Sequence, residues 1–96
     1  MTKRTANRIN RLAANAERAG WTVTREVDEG MEFITFDGGQ WRNHYMIGGE
    51  TNDGAGRTFA VRLTLGSGPS MPVTIKAIER QVAYAVADAE REATEG

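Results

Sequence analysis

The chain has 96 residues, a formal net charge of −1 at pH 7 and no cysteine. This length suits one domain over residues 1–96 with a modest core, and the missing cysteines exclude disulfides, thiol catalysis and cysteine-based zinc sites. No apolar run approaches the ~20 residues of a membrane span, and no apolar segment follows the basic start as in a secretory signal, so we expect a cytoplasmic protein.

The first predicted element is a helix with Thr2 as its N-cap and Gly20 just past its end. Its less polar side chains share one face, formed by Thr5, Ile9, Leu12, Ala13 and Ala16. The other face carries a set of residues that is here named the arginine stripe: Arg4, Arg8, Arg11, Asn15 and Arg18. Like charges at this spacing cost a few tenths of a kcal/mol per pair. The stripe therefore predicts an anionic neighbour: a phosphate backbone, an acidic protein surface or the chain's own acidic C-terminal end.

Four segments with strand patterns follow, at residues 21–27, 31–36, 40–47 and 57–65. A short loop containing Gly30 joins the first two and indicates a hairpin. The pattern of residues 40–47 is the weakest, so the predicted sheet has four strands, or three without this segment. Glycine-rich loops are predicted at residues 48–56 and 66–70.

A second helix is predicted from Met71 or Pro72 to Ala93. It can begin at or beside Pro72 because proline is tolerated in a first helical turn. One face of it is apolar, formed by Ile75, Ile78, Val82, Ala85, Val86, Ala89 and Ala93. No helix separates any two strands, so we predict an α+β fold in the order α-β-β-β-β-α, an antiparallel meander with both helices packed on one face. The other face is then open to water or to a partner.

This order of elements resembles the double-stranded-RNA-binding-domain topology that HicA-type toxins share, including a glycine loop at residues 66–70 before the second helix. In that family a lysine-rich segment opens this helix, whereas here the first lysine after the loop is Lys76. The toxins carry their histidine in a Gly-Ser-His segment, whereas here His44 follows Arg42 and Asn43. The resemblance covers the order of elements and by itself implies no function.

Alternation along the strands predicts which side chains face away from the helices. One register turns the following residues inward: Val23, Phe33, Tyr45, Val61 and Leu63. The outward set is then Ile34, Phe36, Arg42, His44, Met46 and Arg62, which is typical of a dimer or partner surface. The alternative, slightly favoured, is a shifted register or a bulge that places Ile34 and Phe36 in the core. Tyr84, on the polar side of the second helix, is a further candidate for this surface.

His44 is the only histidine. A histidine ribonuclease would use it beside Arg42 or Arg62 as the phosphate-binding group, but the sequence places no nucleophile or second ionisable group next to it. An ordinary strand residue is the favoured interpretation, and we expect no catalytic residues. With one histidine and no cysteine, no metal site is expected. No cofactor is expected either, since residues 66–70 lack the lysine of a phosphate-binding loop.

The leading hypothesis is a non-enzymatic binding module whose arginine stripe contacts a polyanion, most simply nucleic acid. The alternative is a small protein-binding inhibitor or adaptor, of the kind that bacteriophages encode, acting through the open sheet face or the arginine stripe. Formation of a homo-oligomer through the open face is compatible with either. The isoelectric point near 5.8 argues against a general nucleic-acid binder, which is normally basic. The two hypotheses are therefore almost equally supported. A histidine ribonuclease is the weakest hypothesis.

Overall fold

The structure, a computed structural model, describes residues 2–39, 43–50, 57–63 and 70–95. Its elements in chain order are α1 (Lys3–Arg18), β1 (Thr22–Asp28), β2 (Met31–Asp37), β3 (His44–Glu50), β4 (Thr58–Arg62), β5 (Met71–Val73) and α2 (Ile75–Glu95). The strands form one antiparallel sheet in the order β1-β2-β3-β4-β5. The predicted α+β fold is confirmed: an antiparallel meander lies between the two helices in the chain. The meander has five strands, one more than predicted. Within the described residues, no helix is long and apolar enough to cross a membrane.

The two ends of α1 are the ones predicted. The Oγ1 atom of Thr2 accepts a hydrogen bond from the Thr5 N–H at 3.1 Å, which caps the first turn. At the other end Gly20 has a φ of +88°, and the N–H of Trp21 donates to the Ala16 carbonyl at 2.9 Å. This is a Schellman ending, which needs a left-handed residue and therefore favours glycine.

The extra strand, β5, occupies residues that were predicted to begin the second helix. Pro72 disfavours a helical conformation for Met71 before it, and the three residues pair with β4 instead. Thr74 then caps α2, because its Oγ1 accepts a hydrogen bond from the Ala77 N–H at 3.0 Å. The helix consequently begins at Ile75.

Both helices pack on the same face of the sheet, here named the inner face. The buried core joins them to it and comprises Ile9, Leu12, Ala13, Ala16, Trp21, Ile34, Phe36, Tyr45, Ile47, Ala60, Ile78 and Val82. The Trp21 and Tyr45 rings stack with their centroids 6.3 Å apart. A Cβ at Gly38 would lie 2.9 Å from the Trp21 ring, so glycine leaves the space that this stack needs.

The register decides between the two sequence interpretations of β2. Phe36 pairs with Tyr45, and Ile34 pairs with Ile47, so all four side chains face the helices. Ile34 and Phe36 are fully buried, so the favoured interpretation that places them in the core is confirmed, and the register that turns them outward is wrong. The inward predictions for Phe33, Val61 and Leu63 are wrong for the same reason, whereas those for Val23 and Tyr45 are confirmed. β2 has apolar residues on both of its faces, so alternation within this strand does not show which face is buried.

Substitution of Phe36 by alanine tests the register directly. We expect Phe36→Ala to lower the free energy of unfolding by about 3–5 kcal/mol, because it leaves a cavity in the core. The neighbouring Thr35→Ala, on the other face of β2, should change it by less than about 1 kcal/mol. Urea denaturation of the two variants measures the difference. Equal losses would contradict the register.

Candidate functional site

The arginine stripe of α1 lies alongside α2, and two of its arginines form ion pairs there. Arg8 makes a two-point contact with Glu79: its Nε donates to Oε2 at 3.0 Å and its Nη2 to Oε1 at 2.5 Å. Ten residues further along α1 and eleven further along α2, Arg18 Nη2 donates to Glu90 Oε1 at 2.8 Å. The protein itself therefore supplies anionic neighbours for part of the stripe, and Glu90 belongs to the acidic C-terminal end of the chain, residues 88–96.

The Arg8–Glu79 contact shifts the ionisation of both groups. Hydrogen bonding from Arg8 holds the pKa of Glu79 below its ordinary value, against the opposing effect of partial burial. The same hydrogen bond raises the pKa of Arg8 above its ordinary value. Both groups are thus charged at neutral pH, and the pair links the two helices at their partly exposed surface.

The rest of the stripe is differently placed. Arg4 and Arg11 form no ion pair or hydrogen bond within the described residues, and Asn15 accepts a hydrogen bond from Arg18 Nη1 at 3.4 Å. Arg11, Asn15 and Arg18 line one side of a groove of about 500 Å³ between the helices, whose apolar lining includes Leu12, Val82 and Val86. The stripe therefore presents two arginines outside these ion pairs, Arg4 and Arg11, and Arg11 still interacts electrostatically with Glu79.

The opposite side of the sheet, here named the open face, is covered by no described helix. Register places these apolar side chains on it: Phe33, Met46, Phe59, Val61, Leu63 and Pro72. Met46 pairs with Val61, which pairs with Pro72, so the apolar side chains form a row across β3, β4 and β5. The Phe59 side chain is 42% exposed. Such a contiguous apolar area is a candidate interaction surface.

A glycine in β3 allows two aromatic rings to lie across the open face. Phe33 and Phe59 flank Gly48 in the register, and their ring centroids are 6.5 Å apart in an edge-on arrangement. A Cβ at Gly48 would lie 2.4 Å from Phe59 Cζ, so any other residue would displace this ring. Gly48 was predicted to begin a loop, and its place inside β3 is a correction. The strand continues because Gly48 and Gly49 pair with β4.

Acidic side chains surround part of the open face. Glu26 and Asp28 lie on its β1 side, and Asp37 and Glu50 lie at opposite ends of the neighbouring strands. This acidic rim, defined as Glu26, Asp28, Asp37 and Glu50, accompanies an apolar centre on β3 to β5. The candidate surface is therefore apolar in its centre and negatively charged along its border.

The remaining members of the predicted partner surface do not lie together. His44 and Met46 are on the open face as predicted, whereas Arg62 faces the helices, where its Nη2 contacts Met71 Sδ at 3.1 Å. Burial raises the pKa of the neighbouring Tyr45 hydroxyl, and the charge of Arg62 partly offsets this rise. His44 and Arg62 thus lie on opposite faces and cannot form the predicted phosphate site. Arg42 lies outside the described residues.

Tyr84 is 60% exposed on α2, in the helical layer and away from the open face. Within the described ranges, no group of three or more histidine, aspartate or glutamate residues could hold a metal ion. Phe33, Phe59 and Val61 are open-face residues that the sequence does not predict as such. Phe59, Val61 and Leu63 alternate along the chain, but alternation alone does not say which face of the sheet they occupy.

No known protein family, curated protein or solved structure matches this chain.

Removal of the Glu79 carboxylate tests the link between the helices. We expect Glu79→Gln to lower the free energy of unfolding at pH 7 by about 0.5–1 kcal/mol, a modest loss because the side chains of Arg8 and Glu79 are 42% and 34% exposed. Thermal unfolding measures the loss as a decrease of about 2–8 °C in Tm. Glu90→Gln is the control, and it should have a smaller effect because both members of its pair are more than 60% exposed.

The pH dependence of the same variant has a defined sign. The pKa of Glu79 is lowered in the folded state, so its stabilisation is complete above its ordinary pKa of about 4.3 and is lost as the pH falls through the lowered value. The stabilities of the wild type and Glu79→Gln should therefore converge in acid. A difference that grows as the pH falls would contradict this account.

Proposed function

We propose that this protein is a non-enzymatic cytoplasmic protein-binding module, an inhibitor or adaptor, that binds its partner on the open face. The observation that carries the proposal is the row of apolar side chains from Met46 to Pro72, with the Phe33 and Phe59 rings beside it, on a sheet whose other face the helices cover. Aromatic residues and methionine are enriched in the centres of protein interfaces.

The acidic rim defines the chemistry of the partner. Carboxylates at Glu26, Asp28 and Asp37 favour a partner that places lysine or arginine around an apolar centre. Such charges steer the encounter and set its orientation, while burial of the apolar centre supplies most of the affinity. An acidic protein or a polyanion would meet repulsion at this face.

A lysine on the open face tests this function. We expect Val61→Lys to abolish capture of a partner protein from a nuclease-treated lysate of the source organism, because it places a charge in the apolar centre. Tyr84→Ser is the matched control: it removes an exposed aromatic residue from the helical layer and should leave capture unchanged. Circular dichroism and Tm establish that both variants fold.

Three results would overturn the proposal. One is capture by Val61→Lys at the level of the wild type, and another is loss of capture in both variants. The third is a partner that disappears after nuclease treatment, since it would be bound through nucleic acid.

A second candidate function, contact with nucleic acid, is favoured by Arg4 and Arg11, which form no ion pair or hydrogen bond within the described residues. These two arginines lie two helical turns apart and could contact successive phosphates. The acidic partners of Arg8 and Arg18 weaken the support for the other half of the stripe. Any nucleic-acid contact is therefore assigned to Arg4 and Arg11.

Neutralisation of this pair tests the second function. We expect the double variant Arg4→Gln, Arg11→Gln to weaken binding of a labelled duplex oligonucleotide and to lower the slope of log affinity against log salt concentration by about 2. The control, Arg57→Gln with Arg80→Gln, removes two other exposed cations and the same total charge. Equal weakening by the two double variants, or no binding by the wild type, would refute a role for the stripe.

A further inference from the structure

The two edges of the sheet differ in their protection against pairing with another strand. β5 has three residues with Pro72 at its centre, and a short strand with proline is a poor template. β1 has seven residues, six of them exposed, with neither proline nor lysine. All seven pair with β2 without a bulge, so β1 presents a long, regular edge.

The turn between β1 and β2 determines which main-chain groups point away from the sheet. Glu29 and Gly30 both have positive φ, at 50° and 80°, and they form a two-residue turn between Asp28 and Met31. In such a turn the Asp28 carbonyl accepts from the Met31 N–H. Hydrogen bonding alternates along an antiparallel strand, so the N–H and C=O groups of Val23, Arg25 and Val27 point toward the free edge.

We propose that β1 pairs antiparallel with β1 of a second copy of this chain, across a two-fold axis perpendicular to the sheet. Centring the axis on Arg25 aligns all seven residues of both strands and makes about six main-chain hydrogen bonds. The two sheets then form one continuous sheet with all four helices on one side. This proposal stands on the sheet edge and does not rest on the proposed function.

The side chains of β1 are self-complementary in this register. Val27, at 69% the most exposed large hydrophobic residue of the described chain, lies opposite Val23 of the second copy. On the other face, Thr24 lies opposite Glu26 and Thr22 opposite Asp28, so no like charges are directly opposite each other there. A shift that centres the axis on Glu26 would instead oppose two carboxylates and shorten the ladder.

Arg25 is the one residue that meets its own copy at the axis, and its charge is already engaged. Its Nη1 donates to Glu32 Oε1 at 3.2 Å, and its Nη2 donates to Asn10 Oδ1 at 2.8 Å. Both partners draw the guanidinium toward β2 and α1, away from the free edge. The two arginines therefore lie apart, and each remains paired within its own copy.

Molecular mass as a function of concentration tests the proposal. Sedimentation equilibrium of the full chain should show association from the 10.5 kDa monomer to twice that mass as the concentration rises from micromolar to millimolar. We expect Val27→Pro to lose this association entirely, because proline removes an outward N–H that β2 does not use. Val27→Thr keeps the N–H and the branched side chain and should still associate.

Val61→Lys separates this edge from the open face. It should leave the mass of the dimer unchanged, since β2 and β3 separate the strand of Val61 from β1 and its free edge. A dimer lost in Val61→Lys and retained in Val27→Pro would overturn the proposal in favour of an open-face dimer. A wild type that remains monomeric at millimolar concentration would also overturn it.

Hydrogen exchange of the wild type provides a readout that does not depend on any variant folding. The N–H groups of Val23, Arg25 and Val27 should exchange slowly at high concentration and rapidly at low concentration. The N–H groups of Thr24 and Glu26 are hydrogen-bonded to β2 and should exchange slowly at both concentrations. Rapid exchange of the first three at every concentration would overturn the proposal, whatever Val27→Pro does.

Discussion

Burial of Ile34, Phe36 and Ile47 beneath both helices is the interaction on which the rest of this fold depends. Fully burying a side chain of this kind contributes about 1.5–3 kcal/mol, and all three are inaccessible to solvent. Two helices on one face of a sheet leave its other face without a cover. The open face is a consequence of this two-layer arrangement, and so is the concentration of apolar contacts between β2, β3 and the helices.

The contacts between the helices neutralise part of the positive charge of the arginine stripe. Taken along α1 alone, the stripe is a run of like charges that needs an anion. In the folded chain Glu79 and Glu90 of α2, which both line the groove, form ion pairs with Arg8 and Arg18 of the stripe. Arg8 and Arg18 are therefore paired within the protein, whereas Arg4 and Arg11 form no ion pair or hydrogen bond with any described residue.

The open face and the β1 edge are two surfaces with different chemistry. The open face presents side chains, with an apolar centre on β3 to β5, whereas the β1 edge presents main-chain hydrogen-bonding groups. Pairing through β1 would leave both apolar centres exposed on the same side of a joined sheet, separated by the polar residues of the two β1 strands. One dimer could therefore bind two partners, or two sites on one partner, without competition between the surfaces.

Sequence by itself determined the features that depend on a few neighbouring residues. The Thr2 cap, the ending at Gly20, the short loop containing Gly30 and the order of the two helices and first four strands all follow from local conformational preference. The short strand around Pro72 was missed because three residues carry no periodic pattern.

Only the tertiary structure decided which face of each strand is buried and which charges meet. β2 has apolar residues on both of its faces, at Phe33 and at Ile34, so its own pattern is compatible with either orientation. Its pairing with Ile47 and the packing of both helices select the face with Ile34. Likewise, Arg8 and Glu79 are 71 residues apart in the chain, and no local pattern specifies that they meet. Such choices depend on groups that are distant in sequence, and only folding brings them together.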